Sequence, residues 1–174
     1  MSTVPASLHP SPAAGYDSPY EMLTSCHERV ERMLGLLERL SEHVTRHGAD
    51  TNARSAAADL LRYFDLAAPH HHEDEERHVL PRLEAHGHAA LAERLRGEHR
   101  RMDQQWRALR PLLVTLTEGH APAQGLHDVA GFAALYRVHI AVEEDEAYPL
   151  TRPGLDAAAL QAMGDEMARR RGVR

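Results

Sequence analysis

Two stretches of the chain, HHEDEERHVLP at residues 71–81 and HIAVEEDEAYP at residues 139–149, share one arrangement of histidine, glutamate and proline. In each, a glutamate follows the first histidine by four residues, and a proline follows that glutamate by six. Four residues make about one helical turn, so each pair lies on one helix face and both side chains can reach one centre. The pattern predicts two helices that present a histidine and a glutamate to the same place.

The composition limits the chemistry that these residues can serve. The chain has 174 residues with a net charge of −6, one cysteine and 14 histidines. This length fits a single domain, and the acidic balance argues against a nucleic-acid partner, which needs a concentrated basic surface. One cysteine cannot form an internal disulfide or a multi-thiolate zinc site. Any bound metal must therefore be held mainly by nitrogen and oxygen.

The chain carries no targeting or membrane signal that we recognise. Residues 1–18 are rich in proline and serine and contain no lysine or arginine and no long apolar run, unlike a secretory signal peptide. We predict that they form a flexible tail. No stretch approaches the roughly 18 consecutive apolar residues of a membrane helix. We therefore expect a cytoplasmic protein without a membrane partner.

Glycine and proline clusters divide the rest of the chain into helical segments. The predicted segments are 19–46, 52–86, 88–117, 126–149 and a shorter fifth at 155–170. This pattern predicts an all-α fold, an up-down-up-down four-helix bundle over residues 19–150, followed by a C-terminal helix and tail at 151–174. We expect the fifth helix to pack through its apolar face across the bundle, or against a second copy in a homodimer. We expect kinks or early helix ends at Pro69, Pro81 and Pro111.

Each of the four long helices places one histidine on the apolar stripe that should face the bundle centre. These four residues are His27, His71, His99 and His139. The second and fourth helices add a glutamate one turn later, at Glu75 and Glu143. The apolar stripe of the fourth helix is predicted to continue to Leu150. Buried carboxylates without partners are costly, whereas a pair of metal ions would satisfy all six groups. Four imidazoles and two carboxylates suit iron, manganese or zinc, and Glu75 and Glu143 could bridge two ions.

In the second predicted helix (52–86), two histidine–glutamate pairs could face the bundle centre. The internal match to residues 139–149 and the stripe phase favour His71 with Glu75, whereas His72 with Glu76 is the alternative. Each residue also has an explanation that does not involve metal. A single buried histidine is often an ordinary core residue, and both glutamates lie in acidic runs that could form solvated helix faces. Four histidines in phase on four helices favour the metal site. The other histidines fall mostly near helix ends, in loops or off the stripes, and we expect them at the surface.

Taken together, these motifs resemble the haemerythrin-like, or HHE cation-binding, family over roughly residues 20–150. The resemblance implies a four-helix bundle with a carboxylate-bridged, non-haem di-iron site, in proteins that bind O2, respond to O2 or NO, store iron or serve iron-centre repair. It implies six ligands with Glu75 and Glu143 as bridges: His27, His71, Glu75, His99, His139 and Glu143. The oxygen carriers of the family have a second histidine where this chain has Asp103, and an aspartate where it has Glu144. Whether Asp103 or Glu144 adds a ligand stays open.

The function that we predict is a di-iron protein that binds or senses O2, NO or a related small ligand, or that handles iron, with zinc or manganese as substitute metals. One alternative is a di-iron oxidase or peroxidase-like enzyme, in which Tyr136 and Tyr148 could carry electrons, although ordinary packing explains both. Another is a structural zinc bundle. A ferritin-type site needs Glu-x-x-His on two helices, and the chain has only one, from Glu75 to His78.

Overall fold

The computed structural model describes residues 15–173, and the predicted tail therefore lies almost wholly outside the described residues. The described part is all-α. Its helices are α1 (Pro19–His47), α2 (Thr51–Arg62), α3 (Ala68–His78), α4 (Leu80–Ala85), α5 (Ala89–Thr117), α6 (Val129–Val142), α7 (Tyr148–Thr151) and α8 (Ala157–Arg170). None of these helices combines the length and the apolar character needed to cross a membrane.

The helices form the predicted bundle. Helix α1 contacts α2 and α6, and α5 contacts α2 and α6, which closes a ring of four. Connections of three residues join α1 to α2 and α4 to α5, and a longer one of eleven residues joins α5 to α6, which fits an up-down-up-down order. Local chemistry fixes two helix starts, since the side chain of Asp50 accepts a hydrogen bond from the Ala53 N–H and Asp156 does the same for Ala159.

Two of the bundle helices are interrupted rather than continuous. A π-helical turn at Tyr63–Ala67 joins α2 to α3, and a second at Glu143–Ala147 joins α6 to α7. The predicted interruptions occur beside Pro69, which follows the first π-turn, and Pro81, which follows the break at Val79. Helix α5 instead runs through Pro111 without ending there.

The π-turn at Glu143–Ala147 makes one sequence prediction wrong. Leu150, predicted to lie on the inward stripe, is 36% exposed, whereas Thr151 is fully buried. A π-turn contains one residue more than an α-helical turn, so every later residue is rotated relative to the helix before it. The stripe therefore continues one residue late.

The apolar core has two separate parts. One cluster includes Val30, Leu34 and Phe132, and the other includes Leu23 together with residues of α4, α5 and α8. Helix α8 corresponds to the short fifth helix predicted from the sequence. It contributes Met163 and Met167 to the second cluster, so it packs against the bundle. On α1, His27 lies between Leu23 and Val30 and belongs to neither cluster. A polar layer thus separates the two apolar clusters.

Candidate metal centre

The polar layer consists of the six side chains that the sequence predicts as ligands. Among the described residues, only four histidines are buried, and they are the four on the inward stripes: His27, His71, His99 and His139. Glu75 and Glu143 are buried with them. The structure brings all six together, and their role as metal ligands stays a prediction.

The six residues form two overlapping groups that share both glutamates. His27 and His71 belong to the first group, and His99 and His139 to the second. Within each group, the potential ligand atoms lie within 4.8 Å of one another, a separation that one ion can span. We call these groups the His27/His71 pole and the His99/His139 pole. Two adjacent cation positions with two common carboxylates match the predicted dinuclear arrangement.

The distances show how closely these atoms converge. At the His27/His71 pole, His27 Nε2 is 3.2 Å from Glu143 Oε2, and His71 Nε2 is 3.4 Å from Glu75 Oε1. At the other pole, His99 Nε2 is 3.4 Å from Glu75 Oε2, and His139 Nε2 is 2.8 Å from Glu143 Oε1. The Nε2 atoms of His99 and His139 face each other at 3.0 Å. Each glutamate thus presents one oxygen to each pole.

The carboxylate oxygens allow a test of whether a cation fits. Both oxygens of Glu143 and Oε2 of Glu75 are buried and accept no well-aligned hydrogen bond, although imidazole nitrogens lie 2.8 to 3.4 Å away. Buried carboxylates are strongly disfavoured unless a positive charge compensates them, so these oxygens call for a cation or a protonated imidazole. Imidazole nitrogens with carboxylate oxygens are a donor set typical of iron, manganese and zinc. The residues present therefore fit a bound transition metal.

Three of the histidines carry a carboxylate on the side away from the centre. The Nδ1 atoms of His27, His99 and His139 lie within 2.8 to 2.9 Å of carboxylate oxygens. The partners are, in the same order, Glu144, Glu76 and Glu98. A carboxylate accepts the Nδ1–H, which fixes the tautomer and leaves Nε2 free to bind a metal. The Nδ1 of His71 has no partner.

The outer carboxylates were not predicted, although the sequence contains a signal for them. Glutamate pairs occur at residues 75–76 and 143–144, and in each pair the second glutamate lies behind a histidine of another helix. Glu98 directly precedes His99 but reaches His139. Such contacts between helices require the assembled bundle, which spacing along one helix does not reveal.

The structure shows the surroundings of the residues whose role as ligands the sequence left open. Glu144 contacts His27 Nδ1 and therefore lies behind a predicted ligand rather than in the centre. Asp103 is exposed, pairs with Arg107 at 2.6 Å, and lies outside both donor groups, although it lines a cavity together with His99. His72 lies outside both groups, and its ring stacks on that of His99 at 4.2 Å. The geometry therefore favours the register of His71 with Glu75.

The glutamates determine the charge of the site in the absence of a cation. Burial lowers the pKa of an imidazole, but Glu143 and Glu75 outweigh burial and raise the pKa of His27 to about 11. The pKa of His99 is raised for the same reasons, whereas burial lowers the pKa of His71. Although burial also acts to raise the pKa of each glutamate, the surrounding imidazoles hold both pKa values below the usual range. The charged forms of these imidazoles and glutamates therefore stabilise one another.

One further side chain enters the site. The buried Tyr148 hydroxyl donates a hydrogen bond to Glu75 Oε1 at 2.5 Å and lies 3.2 Å from His27 Nε2. Burial, together with Glu75 and Glu143, raises the pKa of this phenol. From the sequence, Tyr148 was expected at most as an electron carrier and not as a neighbour of the predicted ligand atoms.

Comparison with known proteins is consistent with this geometry. Residues 18–151 match the family described as Hemerythrin HHE cation binding domain. The chain belongs to this family. The match covers the four bundle helices and ends before α8. The predicted family and the predicted all-α bundle are both confirmed, and the buried histidine and glutamate groups are groups that could hold metal.

A relative is found over nearly the whole chain. An uncharacterised protein of Haemophilus influenzae is 32% identical over 169 residues, which cover 96% of this chain and 98% of the relative. The alignment extends past the family match at residue 151. The similarity to the relative therefore includes most or all of the segment that forms α8.

Proposed function

We propose that this HHE-family protein holds two iron ions, one at each pole, and binds O2, NO or a related small ligand there. The observation that carries the proposal is the pair of overlapping donor groups, each with two imidazoles and a share of Glu75 and Glu143. Ferrous iron, when bound, supplies the capacity to bind such diatomic ligands. Zinc and manganese suit the same donors and would be substitutes.

The chain's own residues would do three things in this function. Glu75 and Glu143 have one oxygen near each pole and are placed to bridge two ions. The outer carboxylates orient three of the four imidazoles. Asp103, which stands where the oxygen carriers of the family have a further histidine, pairs with Arg107 and is not a member of the donor group at the His99/His139 pole. With two imidazoles at each pole, a coordination position remains for a small ligand or water.

An enzymatic alternative is favoured by one observation, the Tyr148 hydroxyl beside Glu75. A di-iron oxidase or peroxidase-like enzyme that consumes O2 or peroxide could use this phenol as a source of an electron and a proton. Steady consumption of O2 or peroxide by the iron-loaded protein would favour the enzyme, whereas reversible binding without turnover would favour the binding protein.

The test begins with metal analysis of the isolated protein and its ultraviolet–visible spectrum, recorded with and without azide, O2 and NO. We expect two irons per chain and bands that respond to these ligands. Glu75→Ala and Glu143→Ala should each abolish binding of the metal pair, because each glutamate serves both poles. Full metal content in both variants would refute the bridging roles, and zinc without any spectral response would favour a structural site.

His43→Ala is a matched control for these variants. His43 is a partly exposed histidine on α1 that pairs with Asp50 at 2.9 Å, away from both poles. Its loss should leave the metal content unchanged. Loss of metal in this variant would mean that the proposed site is wrong on α1.

A further inference from the structure

The phenol of Tyr148 lies among the atoms of the His27/His71 pole. Its oxygen is 2.5 Å from Glu75 Oε1 and 3.2 Å from His27 Nε2. These separations are no longer than those among the predicted ligand atoms themselves, for example the 3.7 Å between His27 Nε2 and Glu75 Oε1. The hydroxyl thus occupies the same shell of donor atoms as the histidines and glutamates.

The π-turn at Glu143–Ala147 is what brings Tyr148 there. The backbone N–H of Tyr148 donates to the carbonyl of Glu143, five residues earlier, so Tyr148 lies one wide turn beyond this glutamate on the same helix face. In an uninterrupted α-helix, the position below Glu143 would fall to residue 146 or 147 instead. π-turns occur frequently at functional sites, and here the extra residue places a phenol in the centre.

The packing of the ring holds the hydroxyl in this place. The Tyr148 ring stacks nearly parallel to that of His27, with centroids 5.6 Å apart, and meets Tyr20 edge-on at 5.7 Å. The side chain is 6% exposed. Tyr148 and Glu144 also line a surface cleft of about 540 Å³.

The histidines of the two poles differ in the hydrogen-bond partners of their Nδ1 atoms. Both histidines of the His99/His139 pole have a carboxylate at Nδ1, whereas at the other pole only His27 has one. The phenol of Tyr148 lies at the His27/His71 pole, where the Nδ1 atom of His71 has no carboxylate partner. Phenolate is an anionic oxygen donor that iron accepts in proteins.

We propose that Tyr148 is a ligand of the ion at the His27/His71 pole when that ion is iron(III), which rests on the proposed di-iron function. On binding, the phenol O–H bond would break, an oxygen lone pair would form the bond to iron(III), and the proton would be released to the solvent. Tyr148 then gives up its hydrogen bond to Glu75, whose oxygen is freed for the metal. The ligand set of the chain thereby becomes seven side chains, unequally divided between the poles.

The test uses the full chain loaded with iron(II) without oxygen and then oxidised by ferricyanide, which removes one electron from each iron. We expect a visible charge-transfer band from phenolate to iron(III), and resonance Raman excitation in this band should enhance tyrosine ring vibrations. Tyr148→Phe should lose both signals. Tyr136→Phe is the matched control, since Tyr136 is equally buried but stacks on His72, and it should keep both signals.

The outcomes separate this proposal from the di-iron function. Two irons per chain without tyrosine vibrations, or with vibrations that persist in Tyr148→Phe, would overturn the ligand role and leave the di-iron site standing. A chain that takes up no iron would overturn both. If Tyr148→Phe does not fold, the wild-type Raman spectrum still decides whether a tyrosine is bound, and phenylalanine variants of the four other tyrosines assign it by elimination.

Discussion

At the level of single residues, the four predicted histidine ligands differ in the hydrogen-bond partner of their Nδ1 atom. His27, His99 and His139 each have a carboxylate at Nδ1, whereas His71 has none. A carboxylate in this position raises the basicity of the imidazole and fixes its ring. The strength of metal binding should therefore depend on residues outside the six predicted ligands.

Glu98→Gln tests this dependence. The change replaces the carboxylate behind His139 with a neutral amide of the same shape, so we expect metal affinity at the His99/His139 pole to fall by about 10- to 100-fold. Competition between the protein and a chelator for cobalt(II) measures the affinity. Glu93→Gln, an exposed position on the same helix, should behave as wild type. Equal affinities in the two variants would contradict an orienting role for Glu98.

The raised pKa of His27, about 11, predicts that metal uptake depends on pH. Without a cation, His27 is protonated at neutral pH, and a metal ion at its Nε2 must displace that proton. The apparent affinity should therefore fall as the pH is lowered, and metal uptake should release protons. An indicator dye in weak buffer measures the release, with His43→Ala as a control that should match wild type. Uptake without proton release would contradict the protonated state of the site.

At the level of helices, spacing along the sequence was sufficient to find the four histidine stripes but not their continuation. His71, which the stripe phase of the second predicted helix favoured, is buried even though the π-turn at Tyr63–Ala67 precedes it. Leu150 was predicted by the same rule and is exposed. No residue type specifies a π-turn, so the sequence could not indicate where the phase of a stripe shifts. The placement of Tyr148 in the centre depends on that shift.

Helix α8 is fastened to the bundle by a buried charge. The fully buried Asp74, next to Glu75, receives hydrogen bonds at 2.5 Å from both Arg170 and Arg171. Replacing both arginines with alanine would leave this carboxylate buried and unpaired, which costs about 3–5 kcal/mol. We expect the free energy of unfolding in urea to fall by about that amount in the Arg170→Ala, Arg171→Ala variant.

Two further variants make the fastening test specific. Adding Asp74→Asn to the double arginine variant should recover part of the lost stability, because a neutral amide is less costly to bury than a carboxylate. Arg169→Ala, at an exposed position on the same helix, should have little effect. If the Arg169 variant lost as much stability as the double variant, the loss would reflect α8 itself and not the charge on Asp74.

At the level of the whole molecule, the bundle core is divided by the polar layer. Apolar clusters lie on both sides, and the four histidines and two glutamates between them contribute no apolar burial. A single-chain sequence reveals this layer because polar residues interrupt every stripe at a matching level. It does not reveal how the outer carboxylates and Tyr148 join the layer, since these contacts form only when the helices assemble.

The divided core predicts that bound metal stabilises the entire fold. A ligand that binds only the folded state at a thousand times its dissociation constant adds about 4 kcal/mol. For a chain of this size, about 1 kcal/mol corresponds to roughly 2–4 °C in Tm, so removal of the metal should lower Tm by on the order of 10 °C. Calorimetry of the metal-loaded and chelator-treated protein measures the difference. Glu143→Ala should show no such dependence on chelator, because its carboxylate serves both poles. An unchanged Tm after metal removal in the wild-type chain would mean that the polar layer does not depend on a cation for its stability.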